Sequence, residues 1–437
     1  MNINEILTST KGKLINNINL EEKYNQIKIN SKEIKKNDIF IAIIGENHDG
    51  HSFINEAIKN GAKLIITQRE ININTPYIIV KNTTKALGDI AHYMIKKYKP
   101  KVIAITGSVG KTTTKSILYS LLKIKYNVLT NEKNYNNNIG VPLTIFNLTK
   151  ENEILLLELG MNHSKEISYL SNMINPNISA ITNIGSSHIG YLKTKENILK
   201  AKLEILEGMK EKILFVNGDD ELLKNIKNTH TSGFNKSNKL IGYSINSNLY
   251  SSSFKINYKD KEYIINTSLP RHLLNNALIA INIAIYLNID IKDIQKTLES
   301  YKSEKMRMDI LKDINNNIII NDCYNSSFES LTGILKILEN EKQNKILIIG
   351  DIKELGDKSQ EIHKSLKPYI EKINNKEVYL IGEEVKNIKT NAHFFDNYKD
   401  LLIYIKNKKI KNKLILIKGS RSMKLENITE YFLTKKL

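Results

Sequence analysis

The segment "KVIAITGSVGKTTTKSILYSLL", residues 101–122, restricts the fold more than any other part of the chain. Its first six residues are apolar and β-branched, the pattern of a buried strand. After the glycines, Ile117, Leu118, Leu121 and Leu122 fall on one helical face. A strand, a glycine turn and a helix start gather backbone N–H groups around one point, backed by the positive end of the helix dipole. Lys111 adds a point charge, and Thr112 a hydroxyl suited to a magnesium ion. The usual wording of such a phosphate loop is G-x-x-x-x-G-K-[ST]. Here Ile105 stands where the first glycine belongs, and Gly107 comes two places later. The strand–turn–helix context nevertheless predicts a phosphate site set in an α/β sheet, the alternative being a glycine-rich turn with a chance lysine.

Around it, short apolar strands alternate with longer helical patterns, which predicts an α/β fold with parallel sheets. At 437 residues the chain suggests two to four domains, on a prior of about 100–200 residues each. Three blocks are expected. Residues 1–97 hold the strands "DIFIAIIG", "AKLIITQ" and "PYIIVK" and a helix "HSFINEAIKNG" closing on Gly61. "KKYKPK" reads as a charged joint. Residues 98–305 carry the phosphate loop, then "EILLLELG", "ISAITNIG" and "KILFVNGDD". A polar period-2 stretch near 230–269 predicts a β excursion, and the helix "NNALIAINIAIYLNI" follows. Residues 306–437, with "NIIINDCYN", "KILIIGDIKELG", "EVYLIG" and "KLILIKGSR", form a further small α/β sheet.

One cysteine, Cys323, rules out an intramolecular disulfide and suits a reducing, cytoplasmic compartment. With no histidine beside it in the motif, it reads as a packed residue rather than a nucleophile. The N-terminus lacks the compact apolar core of a signal peptide, and no apolar run approaches the roughly 18 residues of a membrane helix. The net charge of +19 admits nucleic-acid binding. The lysines, however, are spread along the chain with no block interleaved with aromatics. A general replacement of Arg, Gln and Val by Lys, Asn and Ile explains them, so no nucleic-acid partner is expected.

Other constellations sit at strand ends, where open α/β sheets bind ligands. "ILLLELGMNH" ends on Glu158, a magnesium ligand if it lies beside the phosphates. "ITNIGSSHIGYL" presents His188. "NILKAKLEIL" carries Lys200 and Lys202, whose default is an exposed helix surface. "NEKNYNNNIGVP" reads as a loop ending on Pro142 whose amides suit a nucleotide or substrate.

Taken in order, "TGSVGKTT", "NNIGVPLTIF", "ELGMNHSKEI", "NIGSSHIGYL", "GDIKELG" and "KGSRSMKLE" resemble the Mur ligase family over nearly the whole chain. "ELGMNHSKEI" is most similar to the branch that adds D-alanyl-D-alanine. The resemblance implies a central ATP-binding domain flanked by an N-terminal UDP-sugar-binding domain and a C-terminal Rossmann-like domain that binds nucleotide and acceptor dipeptide. It implies ATP and magnesium as cofactors, UDP-N-acetylmuramoyl-tripeptide and D-alanyl-D-alanine as substrates, and a monomer. It places Thr106, Gly107, Ser108, Gly110, Lys111, Thr112, Thr113, Asn138, Asn276, Arg307 and Asp322 at ATP. Thr112, Glu158, His188 and a carbamylated Lys202 would serve metal, with Lys111, Glu158, His188 and Lys202 catalytic. Ser31, His48, Gly50 and His51 would meet the UDP-sugar, and Asn325 the acceptor. Three departures stand out: Leu273 replaces an asparagine in "HLLNN", Ser327 and Phe328 replace Asn and Pro in "YNSSF", and "NSK" at 30–32 replaces D-S-R. The alternatives are a sister ligase or a folylpolyglutamate-synthase-like enzyme adding a single amino acid, a nucleic-acid-dependent ATPase, and a non-catalytic scaffold of the same fold.

Overall fold

The structure, a computed structural model, describes residues 1–132 and 134–434. The chain divides into two compact units. The first comprises 1–104, 126–179 and 204–212, and the second 105–125, 180–203 and 213–437.

In the first unit, a five-stranded sheet runs in the order Lys13–Ile15, Tyr77–Ile79, Ala62–Thr67, Asp38–Ile41, Ile27–Lys28. Only its first pair is antiparallel. Alternation along the strands sorts the core onto two faces. Ile39, Ile41, Leu64 and Ile66 pack with Ile3, Ile6, Leu87 and Ile90 on one side. Phe40, Ile65 and Tyr77 pack with Ile54 and Ala57 on the other. "KKYKPK" spans a helix end, a tight turn and a strand start. The helix Thr83–Tyr98 runs through Lys96 and Lys97, where cations complement its C-terminal dipole, and the chain turns on Lys99 (φ 52°) straight into the strand Lys101–Thr106. Pro142 does not end a loop. It lies in the first turn of the helix Gly140–Ile145, where its missing N–H costs nothing.

In the first unit Ile154–Glu158 pairs in parallel with Val128–Thr130. In the second, Leu214–Asn217, His230–Gly233 and Leu240–Ser247 pair in parallel in that order. The β excursion holds four strands: His230–Gly233 pairs in parallel with Leu240–Ser247, which forms an antiparallel meander with Ser252–Tyr258 and Lys261–Thr267. A six-stranded sheet in the same unit runs Asp309–Lys312, Ile318–Asn321, Leu414–Lys418, Lys345–Gly350, Lys376–Ile381, His393–Phe395. All its pairs are parallel except the first. Leu347, Ile349, Leu414 and Leu416 face one core, and Ile346, Ile348, Ile415 and Ile417 the other.

Candidate active site

The phosphate loop lies in the second unit. Gly107 (φ 149°) and Gly110 (φ 82°) take backbone conformations that side chains rarely adopt. Neither has room for a Cβ: one at Gly107 would fall on Thr182, and one at Gly110 would come 2.5 Å from Asn276 Oδ1. Gly110 caps the helix Lys111–Leu122. Lys111 Nζ donates to the carbonyls of Gly107 (2.8 Å) and Ser108 (3.2 Å). Thr106, Ser108 and Thr112 are buried, and Thr113 is half-buried.

The loop is braced from the segment 182–185. Thr182 N donates to Thr106 O (3.0 Å), and Ser108 N to Asn183 O (3.0 Å). Thr182 Oγ1 donates to Val109 O (2.5 Å), Val109 N to Asn183 Oδ1 (2.8 Å), and Gly185 N to Ser108 Oγ (2.9 Å).

Residues after 305 reach the same place. Arg307 Nη2 donates to Thr112 Oγ1 at 2.9 Å, while the guanidinium stacks 4.1 Å above the Tyr324 ring. Asp322 does not point out alone. Its carboxylate pairs with Lys418 Nζ at 2.6 Å and accepts from Met308 N at 3.1 Å. Asn325 is exposed, its Oδ1 accepting from Ser326 N (2.8 Å). Glu329 grips the middle segment, accepting from Ser186 N (2.7 Å) and Ser186 Oγ (3.1 Å). His188, with φ 64°, places Nδ1 2.9 Å from Glu354 Oε2. Burial lowers the His188 pKa against the raising effect of Glu354, and Lys202 and Lys111 lower it further. The close approach of His188 holds the Glu354 carboxyl below its ordinary value.

Lys202 departs from the default for a lysine. It lies on the helix Lys195–Leu203 with no exposed surface, whereas Lys200 on the same helix is exposed. Cys323 is buried, and burial pushes its thiol up to about 12, as expected of a packed residue.

In the first unit, Glu158 is 3% exposed and tightly held. Its N–H donates to Asn131 Oδ1 (2.9 Å), its carbonyl accepts from Asn131 Nδ2 (2.9 Å), and its Oε1 accepts from Asn136 Nδ2 (2.8 Å). Asn138, by contrast, is exposed. Ser31 is buried, donating to Glu56 Oε2 at 2.5 Å. His48 is exposed. Gly50 presses on the Ile43 backbone, where a Cβ would come within 2.7 Å. Both ring nitrogens of His51 are used internally, Nδ1 with Asp49 Oδ1 (2.6 Å) and Nε2 accepting from Gln68 N (3.2 Å). It shapes its loop, and its hydrogen bonds hold Asp49 below the usual carboxylate range.

Sequence reasoning missed Asn131, Asn136, Thr182, Asn183, Glu329 and Glu354. Their amides, carboxylates and, in Thr182, a hydroxyl organise the loops that carry the motifs. Asn131 and Asn136 lie in the asparagine-rich "NEKNYNNN" and Glu354 in "GDIKELG", where nothing local separates them from their neighbours.

Three family models match the chain: "Mur ligase family, catalytic domain" over residues 23–105, "Mur ligase middle domain" over 105–285, and "Mur ligase, glutamate ligase domain" over 306–421. The UDP-N-acetylmuramoyl-tripeptide–D-alanyl-D-alanine ligase of Buchnera aphidicola subsp. Baizongia pistaciae is 37% identical over 419 residues, covering 92% of this chain and 91% of that protein. The Bacillus subtilis enzyme of the same name is 33% identical, covering 98% and 97%. Among solved structures, MurF from Acinetobacter baumannii superposes with a TM-score of 0.92 at 26% identity, over 99% of this chain and 98% of that one. MurF ligase from Thermotoga maritima in complex with ADP gives 0.84 at 29% identity, over 93% and 96%.

Proposed function

We propose that this chain, which belongs to the Mur ligase family, joins D-alanyl-D-alanine to UDP-N-acetylmuramoyl-tripeptide in an ATP-driven, ADP-forming reaction. The product is a pentapeptide precursor of peptidoglycan. The observation that carries this reading is the phosphate loop with Lys111 and Thr112 at its helix start, met by Arg307 from beyond residue 305.

A carboxylate is a poor electrophile. In the proposed sequence the terminal carboxylate of the tripeptide attacks the γ-phosphate of ATP, giving an acyl phosphate and ADP. The amine of the dipeptide then attacks the acyl carbon, loses a proton, and phosphate leaves. Such chemistry needs positioning and charge stabilisation more than bond-making groups. Lys111 and the N–H groups of 107–113 hold the phosphates, and Arg307 adds positive charge as they pass negative charge to the leaving oxygen.

The donor chemistry fits magnesium: Thr112 offers a hydroxyl and Glu158 a carboxylate, both hard oxygen ligands. Among the described residues no group of three or more His, Cys, Asp or Glu could hold a metal by itself. That suits an ion which keeps water and substrate phosphates in its shell. When bound, magnesium would neutralise phosphate charge. His188 and a carbamylated Lys202 are the proposed residues for a second ion, the buried position of Lys202 supporting the latter. Asn276 and Asp322 are proposed at the nucleotide, Asn138 in its flanking loop, Ser31, His48, Gly50 and His51 at the UDP-sugar, and Asn325 at the acceptor. Domain boundaries near 97 and 305, a monomer, no nucleic-acid partner and a cytoplasmic site complete the reading. No helix among the described residues is long and apolar enough to cross a membrane.

The test is product analysis by mass spectrometry, with ATP, purified UDP-N-acetylmuramoyl-tripeptides and either D-alanyl-D-alanine or single amino acids. Amide formation with the dipeptide alone supports the proposal. Ligation of single amino acids, or ATP hydrolysis without amide, overturns it.

A further inference from the structure

We infer that Lys418 is a positioning residue for Arg307: through Asp322 it fixes the turn at residues 306–308 that aims the guanidinium at the phosphate loop. The inference rests on the ligase reading in one respect, that Arg307 serves the phosphates of ATP.

Lys418 ends the strand Leu414–Lys418, beside the strand Ile318–Asn321. The two run in parallel with Asn321 opposite Ile417, and Asp322 N donates to Ile417 O at 3.0 Å, so the register brings Asp322 next to Lys418. The Lys418 side chain is 2% exposed, and its ammonium donates to Asp322 Oδ2 at 2.6 Å and to the Asn325 carbonyl at 3.3 Å. Asp322 gives its other oxygen to the turn, Oδ1 accepting from Met308 N at 3.1 Å. On the other side of the turn, Tyr324 N donates to Met306 O at 3.1 Å. Arg307 lies between these two anchors. Its guanidinium stacks 4.1 Å over the Tyr324 ring, and its Nη2 donates to Thr112 Oγ1 at 2.9 Å.

The turn needs holding. Met306 (φ 63°) and Met308 (φ 53°), on either side of Arg307, are both left-handed without being glycine. Such conformations persist where the surrounding structure over-determines them. Here Asp322 and Tyr324 supply that restraint, and Lys418 fixes the first of them. A buried ion pair is a poor source of stability, because taking both charges out of water offsets their attraction. Apolar side chains of like volume often serve a core as well or better. What this pair adds is direction: a carboxylate held on one oxygen by Lys418 presents the other to Met308 N.

The experiment reads the guanidinium directly. The chain has four arginines, Arg69, Arg271, Arg307 and Arg421. In enzyme free of nucleotide and isotope-labelled only at arginine, side-chain NMR resolves them, with Arg307→Lys assigning the signal sought. In the wild type the Arg307 signal is expected to be displaced by the Tyr324 ring. Lys418→Met, which keeps a long side chain and removes the charge, returns that signal towards the position of a free arginine. Arg271, whose guanidinium stacks 4.3 Å over the Phe234 ring in the same unit, keeps its signal. Should Lys418→Met not fold, Lys418→Met combined with Asp322→Leu, which buries no lone charge, carries the same measurement. In ligation assays Lys418→Met lowers kcat by up to about 100-fold, the loss that a misplacement of about 1 Å can bring. Most of that loss disappears in an Arg307→Ala background, because the two changes remove one effect. An Arg307 signal unmoved in a folded Lys418 variant, an Arg271 signal that moves along with it, or losses that multiply in the Lys418→Met, Arg307→Ala double variant overturns the inference. The arginine spectrum needs no substrate, so its failure is distinct from failure of the ligase reading, which product analysis reports.

Discussion

Lys111 and Lys202 are both lysines of a lysine-rich chain, and their surroundings separate them from the rest. Lys111 folds over the carbonyls of Gly107 and Ser108 at a helix start. Lys111→Ala should abolish ligation, since a lost preorganised contact to developing charge costs about 3 kcal/mol or more, over a hundredfold in kcat. Steady-state kinetics of the variant check this, and near-normal turnover would remove Lys111 from the site. Lys202 has no exposed surface, while Lys200 is exposed on the same helix. Taking a lysine out of water is costly, and carbamylation would turn the ammonium into a metal-binding anion. Lys202→Ala should be inactive and partly rescued by short carboxylic acids, which replace the anionic oxygen pair. Lys200→Ala should cost no more than about 0.5 kcal/mol of stability, as surface changes do, and respond to no acid. A dead Lys202 variant that no carboxylate restores, alongside an equally dead Lys200 variant, would end the carbamate idea.

At the scale of elements, the phosphate loop depends on backbone shape. Gly110 sits at φ 82° with Asn276 against its Cα. Gly110→Ala forces a left-handed alanine, costing about 1–2 kcal/mol, and pushes the Asn276 amide aside. Its KM for ATP should rise at least tenfold while the melting temperature falls only slightly. An unchanged KM would show that neither the loop shape nor Asn276 serves the nucleotide. This element was readable from sequence because strand, glycines and helix are contiguous, and local pattern alone specifies them. The β excursion and four strands of the six-stranded sheet were readable for the same reason, whereas the strands Asp309–Lys312 and His393–Phe395 were not drawn. The N-terminal helix Ile3–Thr10 was not drawn, although its capping box, Asn2 with Glu5, is written in "NINE". What sequence could not supply were the long-range partners. Asn131 meets Glu158 across 27 residues, Glu329 meets Ser186 across 143, and Arg307 meets Thr112 across 195. Local pattern did not separate Lys202 from Lys200, which only the family resemblance did, because burial is decided by the elements that close over a helix and not by the helix itself.

Over the whole molecule, charge and buried histidines act together. The chain carries +19 with its histidines neutral, so further protonation adds self-repulsion. His188, His230, His272 and His363 all have lowered pKa values, with burial the largest cause in each. His272 is moved furthest, to about 4. Asp322 partly offsets the burial, Lys418 adds to it, and the buried Nδ1 has no hydrogen-bond partner among the described residues. The unfolded chain binds a proton at His272 below about pH 6.5, but the folded chain only below about 4. Between these values the unfolded state holds more protons, so stability rises with pH and is lost on acidification. The slope from one such group is at most about 1.4 kcal/mol per pH unit, and the other three histidines add to it within their own narrower windows. Denaturant melts at intervals from pH 7 to pH 5 should therefore show a steep fall in stability. His272→Gln, which keeps a polar side chain but cannot take the proton, should flatten that fall, with its largest effect below pH 6. If its stability-against-pH curve runs parallel to that of the wild type, His272 takes its proton as readily folded as unfolded, and the acid sensitivity belongs to the other three.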